Sequence, residues 1–207
     1  MIVNPDIEKY IDGLLPERDA VLREMEALAE ERGIPIVGPA VASVLDQLVR
    51  LSGAKRIFEL GSAIGYSTIW LARAAGEGAE VHYSDGSEDN ARLARGFFER
   101  AGVADRIQIH VGDALTAFAA TEGEFDFVFN DVDKEGYLDV LEAAPVRIRP
   151  GGILATDNAL WHEKVLDPQD ETSRTVVSFD RKMFDSKDFH TTLLPIRDGV
   201  IVGVKRK

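Results

Sequence analysis

Two short apolar runs, Phe125–Asn130 and Gly152–Thr156, each stop at oxygen-bearing side chains. Asp131, Asp133 and Lys134 follow the first, and Asp157 and Asn158 follow the second. Runs this short and this apolar, bounded by glycine and proline, read as strands buried on both faces, as in a parallel sheet covered by helices. The rest of the chain keeps the matching rhythm. Lys55–Leu60, Glu80–Ser84 and Arg106–Val111 are further strand-like runs. Helical stretches separate them: the segment opening after Gly65, then Ser87–Ala101, Thr116–Thr121 and Tyr137–Ile148. Strands alternating with helices specify a doubly wound α/β sheet. At the carboxyl end, His190–Ile196 and Val200–Lys205 flank Arg197, Asp198 and Gly199, and Asp-Gly between apolar runs signals a hairpin. The expectation is a Rossmann-like sheet of seven strands, mostly parallel, ending in an antiparallel pair.

Ahead of this pattern lie two helices broken at Pro16. Pro5–Leu15 aligns Ile7, Tyr10, Ile11 and Leu14. Glu17–Arg32 aligns Val21, Met25 and Leu28, with Gly33 as its C-cap. They read as a core-packing pair, with a dimer or lid role as the other option. Ile36 to Pro39 reads as a loop and Val41–Leu51 as a helix with Val41, Val44, Leu45, Leu48 and Leu51 on its apolar stripe. Residues 161–175 read as an irregular loop beside the site, and Val176–Asp185 as a helix. At 207 residues a single domain is expected, with 1–34 as a helical cover and 35–207 as the catalytic α/β core.

Composition narrows the chemistry. The chain has no cysteine, so disulfides, thiolate metal sites and cysteine nucleophiles are excluded. A formal net charge of −12 disfavours a broad electrostatic grip on nucleic acid. No apolar run approaches the ~20 residues that span a bilayer. The start, Met1 to Asp6, lacks the basic head and apolar stretch of a secretion signal. A cytoplasmic location is the expectation.

In open α/β sheets, ligands bind at the carboxyl ends of the strands. Asp131, Asp157 and Asn158 therefore meet at one edge, with Lys134 beside them. Three oxygen donors without sulfur or imidazole suit a hard cation such as Mg²⁺, or Ca²⁺ or Mn²⁺. A divalent ion next to a lysine is a device for ionising a hydroxyl. Gly61 and Gly65 sit where the first strand turns into its helix, Asp85 ends the second strand and Asp113 follows the third. That edge fits a ligand with ribose and adenine. The phosphate-binding pattern Gly-x-Gly-x-x-Gly is absent, because position 63 is Ala. S-adenosylmethionine has ribose and adenine without pyrophosphate.

Together, Glu59, Gly61, Gly65, Tyr66, Ser67 and Thr68, then Asp131, Asp133, Lys134 and Tyr137, Pro150 to Gly152, Asp157, Asn158 and Trp161, and Leu194, Pro195, Asp198 and Gly199 carry a resemblance. The chain resembles the cation-dependent class I S-adenosylmethionine O-methyltransferases of the catechol and caffeoyl-CoA type. The resemblance implies Asp131, Asp157 and Asn158 as metal ligands, and Lys134 with Asp131 as the catalytic pair, Lys134 being the general base. It implies Val37, Glu59, Gly61, Gly65, Tyr66, Ser67, Asp85, Gly86, Asp113, Ala114 and Asp131 around S-adenosylmethionine. It implies Trp161, Lys134 and Asn158 on the substrate side, and a homodimer.

The implied reaction is in-line transfer of a methyl group to a hydroxyl of a small catechol-like or phenolic acceptor. Two other readings keep part of the pattern: a methyltransferase for a tRNA nucleoside hydroxyl, and a cofactor-binding protein without catalysis. Departures from the family pattern are Asn130 ahead of the first metal aspartate, and His162 and Glu163 after the tryptophan. Asn130 needs a hydrogen-bond partner. Tyr137, Phe97 and Phe98 read as packing residues, Asp133 as a helix cap or outer support, and His162 as a loop residue rather than a base.

Overall fold

Seven strands form one sheet: β1 (Arg56–Leu60), β2 (Glu80–Asp85), β3 (Ile107–Val111), β4 (Phe125–Asn130), β5 (Ile148–Thr156), β6 (Phe189–Leu194) and β7 (Val200–Lys205), in the spatial order β3-β2-β1-β4-β5-β7-β6. This computed structural model describes residues 5–207; the absent secretion signal expected for the start falls partly on Met1–Asn4, outside the described residues. β1 to β5 are parallel, while β7 runs antiparallel to both β5 and β6. The chain thus reaches the edge with β6 and returns to insert β7. The buried run Val200 to Gly203 matches an inserted strand, and the mixed burial of β6 matches an edge.

The helices are α1 (Pro5–Leu14), α2 (Ala20–Arg32), α3 (Gly38–Ser52), α4 (Tyr66–Ala75), α5 (Glu88–Arg100), α6 (Ala114–Ala120), α7 (Tyr137–Ala143) and α8 (Glu171–Asp185). The two faces of the sheet carry separate cores. Ile57, Phe127 and Phe129 pack with Leu45, Ile69, Tyr83 and Phe98 of the α3–α5 side. Their strand neighbours Phe58, Leu60 and Val128 pack with Phe118, Tyr137, Phe179 and Met183 of the α6–α8 side. This follows from the period-2 alternation of side chains along a strand. Among the described residues no helix is long and apolar enough to cross a membrane.

Several boundaries differ from expectation, each for a local reason. α7 stops at Ala143, because Pro145 cannot continue it, and β5 starts at Ile148 through an irregular pairing with β4. α8 starts at Glu171 because Asp170 and Ser173 form a capping box. Asp19 caps α2, which starts at Ala20. α3 begins at Gly38, with Pro39 in its first turn, where a loop was expected; Leu51 near its end is 84% exposed instead of lying on the buried stripe. The largest correction concerns α1. Its aligned Ile7, Tyr10, Ile11 and Leu14 are exposed, so only α2, through Leu22, Met25 and Ala29, packs on the core.

Register positions the site. Leu60 pairs with Asn130, and Asn130 with Thr156, so β1, β4 and β5 end at one level. β1 has β2 on one side and β4 on the other, and chain order reverses there, which opens a crevice above their carboxyl ends.

Candidate active site

The crevice is a cleft of about 1120 Å³. Asp85, Gly86, Asp113 and Ala114 line it beyond β2 and β3, Lys134, Asn158 and Trp161 beyond β4 and β5, and Gly61 and Asp131 lie between them. The backbone knits the strand ends together: Asp131 N–H donates to Leu60 O at 2.8 Å, and Asp157 N–H to Asn130 O at 3.1 Å.

At the acidic end, Lys134 Nζ donates to Asn158 Oδ1 at 2.8 Å and lies 3.8 Å from Asp131 Oδ1. The lysine is buried and stands over the Tyr137 ring at 4.7 Å and the Trp161 ring at 5.2 Å. A pairing with Asp133 or Glu135, the simple surface alternative, is not what the structure holds. Burial pushes the Asp157 carboxyl up to about 6, against a backbone hydrogen bond from Asn158 and the nearby Lys134, which pull it down. Burial and the neighbouring Asp157 raise Asp131. Asp157 Oδ1 is buried with no hydrogen-bond partner among the described residues.

These observations test the metal. Two carboxylates that repel one another, one with a buried oxygen lacking a hydrogen-bond partner, are a setting that a bound cation would relieve. With the Asn158 amide oxygen they form an all-oxygen set suited to a hard divalent ion, so the residues present fit it. Among the described residues no cluster of three or more His, Asp or Glu could hold a metal.

At the other end, Glu59 is fully buried at the end of β1. Burial pushes its carboxyl up to about 7, although the hydroxyls of Ser67, Thr68 and Ser62 favour the charged form. Thr68 donates to Glu59 Oε2, while Oε1 is buried without a partner. An orphaned carboxylate oxygen here fits the ammonium of an amino acid moiety. Gly61 has φ +82, and a Cβ on it would meet the carbonyl of Asp131. That close approach lets the glycine turn and Asp131 share one wall. Gly65 caps α4 at φ +85, with the Phe98 ring where its Cβ would stand.

Asp85 accepts from Ala63 N–H at 3.0 Å, Ser87 N–H at 2.8 Å and Asn90 Nδ2 at 3.0 Å, which fixes it at the rim. Asp113 is the N-cap of α6, its Oδ1 accepting from Thr116 N–H at 2.7 Å, and it lines the cleft together with Ala114.

Two expected cofactor residues lie elsewhere by side chain. Val37 is buried in the α3–α5 core, while Pro35 and Ile36 line the cleft. The Tyr66 hydroxyl donates to Glu26 of α2 at 2.6 Å, so that side chain leaves the cleft. Asn130 finds partners inside: Thr156 Oγ1 at 3.4 Å and Val132 N–H at 3.5 Å. Sequence reasoning missed four contributors. Thr68 and Ser62 serve Glu59, and the hydroxyls following two glycines were the available signal. Tyr137, read as packing, also donates to the Asp157 carbonyl at 2.6 Å. Arg197 borders the cleft from the β6–β7 turn.

The loop after β5 takes an uncommon path. Asn158, Trp161, His162 and Glu163 have φ of +56, +43, +54 and +67. For side chains other than glycine and asparagine the left-handed region costs roughly 1–2 kcal/mol per residue. Strain of this kind persists only where the surroundings over-determine it.

Sheet order, crevice and strand-end acids define a class I S-adenosylmethionine-dependent methyltransferase. Comparison with known proteins narrows the class. The sequence model of the family described as O-methyltransferase matches residues 17–207. A catechol O-methyltransferase of Niastella koreensis is 36% identical over 168 residues, covering 78% of this chain and 76% of that protein. Caffeoyl-CoA O-methyltransferase 1 of Zea mays is 34% identical over 218 residues, covering 97% of this chain and 84% of that protein. The O-methyltransferase from Bacillus cereus, solved in complex with SAH, superposes with a TM-score of 0.87 at 29% identity, covering 97% of each chain. The O-methyltransferase TomG from Streptomyces achromogenes, solved with SAM, gives 0.88 at 27% identity, covering 98% of this chain and 96% of that one. The chain belongs to the O-methyltransferase family, of the type that includes the catechol and caffeoyl-CoA enzymes, and its methyl donor is S-adenosylmethionine.

Proposed function

We propose that this O-methyltransferase acts on one hydroxyl of a small catechol-like aryl acceptor, with a divalent cation held by Asp131, Asp157 and Asn158. One observation carries the reading: the buried, unpartnered Asp157 Oδ1 beside Asp131, with Lys134 Nζ at 2.8 Å from Asn158 Oδ1. When bound, S-adenosylmethionine supplies an electrophilic methyl carbon, and the cation lowers the pKa of an acceptor hydroxyl.

The chain's residues do the rest. Glu59 Oε1 binds the donor's ammonium, and Ser67 its carboxylate. Gly61 and Gly65 let the backbone close on the donor, and Asp85 at the rim takes the ribose. Lys134 Nζ, once in its neutral amine form, accepts the acceptor's proton and becomes the ammonium, held in place by Asn158, Asp131 and the Tyr137 and Trp161 rings. Trp161 excludes water from the acceptor side and orients the aryl ring, so that oxygen and methyl carbon meet in line.

Residues 35–207 act as one catalytic unit, covered by α1 and α2. The exposed Ile7, Tyr10, Ile11 and Leu14 of α1 support a homodimer as the working form.

The test is a panel of aryl vicinal diols with S-adenosylmethionine, read by mass for methyl addition. Turnover that vanishes with EDTA and returns with Mg²⁺ is expected. A rate indifferent to EDTA removes the cation from the reading, and no product on any diol removes the acceptor class.

A further inference from the structure

The turn between β6 and β7 reaches into both walls of the acceptor end of the cleft. On one side the Arg197 guanidinium donates to the carbonyl of Ile36 at 3.4 Å and to that of Val37. Ile36 and Arg197 border the cleft and the two hollows beside it, of about 400 Å³ and about 620 Å³. On the other side, three backbone donors after Asn158 end on the same turn. Ala159 N–H donates to Gly199 O at 3.0 Å, Leu160 N–H to Asp198 O at 2.8 Å, and His162 N–H to Asp198 Oδ1 at 2.6 Å.

The segment so held is the strained one. Trp161, His162 and Glu163 sit in succession in the left-handed region, which such side chains leave when free to do so. The only side-chain bond among the three anchors is the one to Asp198. Its carboxylate is only 12% exposed, with Oδ2 buried 3.7 Å from His162 Nδ1, so both oxygens face His162. The outcome of the held turn is the position of Trp161, whose indole stands 5.2 Å from Lys134 Nζ.

We propose that Asp198 is a positioning residue for acceptor recognition: through His162 N–H it locks the left-handed turn that sets Trp161 beside Lys134, and with Arg197 it ties the acceptor loop to the Ile36 wall. The proposal rests on the reading of this end of the cleft as the aryl acceptor site.

Trp70 and Trp161 are the two tryptophans of the chain, so Trp70→Phe leaves Trp161 as the sole indole reporter. In that background Asp198→Ala is expected to shift and broaden Trp161 emission. It should raise acceptor KM about tenfold, with kcat changing less and S-adenosylmethionine affinity staying within about twofold by calorimetry. Asp198→Asn keeps an oxygen for His162 N–H and should recover most of the KM and the emission. Unchanged KM and emission in Asp198→Ala overturn the proposal. So does a parallel loss of donor affinity in both variants, which marks general damage. If the alanine variant does not fold, Asp198→Glu moves the acceptor oxygen by one methylene. It is expected to raise acceptor KM severalfold at constant donor affinity, and an unchanged KM overturns the proposal. If the parent enzyme methylates no diol, the acceptor reading fails on its own account, and Trp161 emission still reports on the lock without turnover.

Discussion

Tyr137 donates its phenolic hydrogen to the backbone carbonyl of Asp157 at 2.6 Å, while its ring lies 4.7 Å beneath Lys134 Nζ. One fully buried side chain, packed edge-on against Phe179, therefore fixes both the turn that carries Asp157 and the seat of the lysine.

Tyr137→Phe keeps the packing and removes the hydroxyl. The Asp157 carbonyl is then left without that donor, which costs about 1–2 kcal/mol of stability for a buried hydrogen bond. The concentration of Mg²⁺ needed for half-maximal rate should rise about tenfold, because the ligand it anchors is looser. Thermal melting and a Mg²⁺ titration of the rate check the two parts. Equal Mg²⁺ dependence in both proteins would leave the hydroxyl with a folding role alone.

Lys134→Met removes the amine and keeps much of the stem that lies between Tyr137 and Trp161. Loss of a positioned proton acceptor lowers kcat about 10²- to 10⁴-fold. S-adenosylmethionine affinity, governed by the Glu59 end of the cleft, should stay unchanged by calorimetry. A kcat within a few-fold of the parent would assign the proton to solvent.

Glu59 makes folding stability depend on pH. Its folded-state pKa, raised to about 7 by burial, lies above the ordinary carboxylate value of 4.5. The folded protein therefore holds a proton that the unfolded chain has already released, and stability falls as pH rises between about 4.5 and about 7. The ceiling is about 3 kcal/mol for a shift of this size. Asp85 adds to the penalty, and the hydroxyls of Ser67, Thr68 and Ser62 offset part of it. Glu59→Gln should melt higher than the parent at pH 8, converge with it near pH 4, and lose donor affinity. A melting difference that does not change with pH would mean that Glu59 is not the group responsible.

How much of this was legible depended on whether local chemistry or long-range placement decided the outcome. The alternation of strand and helix, the hairpin at Asp198 and Gly199, and the oxygen-rich ends of β4 and β5 are local, and the sheet follows from them. α1 failed the same logic: its apolar stripe is clear in the sequence, but periodicity says that a face wants burial and not where the burial comes from. The side chains of Val37 and Tyr66 turn away from the cleft because neighbours in a motif need not point the same way. Tyr66 turns to Glu26 of α2, a partner 40 positions away in the chain. Tyr137 looked like packing because its hydroxyl answers a backbone carbonyl, which leaves no mark in sequence.

The exposed stripe of α1 yields its own expectation. Ile7, Tyr10, Ile11 and Leu14 form a continuous apolar strip on a surface that is otherwise strongly acidic. Such a strip is normally covered in solution. Light scattering should give twice the chain mass, and Ile11→Asp paired with Leu14→Asp should give the single chain. A monomer in the parent would show that α1 stays uncovered by a second copy.

The acidic end should reveal its cation without any turnover. Asp131 and Asp157 repel one another in a buried setting, and burial raises both. A divalent ion that binds only the folded arrangement stabilises it by mass action, by about 2.7 kcal/mol at a hundred times its Kd. Added Mg²⁺ or Mn²⁺ should therefore raise the melting temperature by several degrees, and EDTA should cancel the rise. Asp157→Ala relieves the repulsion, so that variant is expected to melt at or above the parent without metal, yet to gain nothing from the ion. The crossing of those two responses separates a cation site from a general salt effect. If Asp157→Ala and the parent gain equally from Mg²⁺, the ion binds elsewhere and the two carboxylates do not hold it.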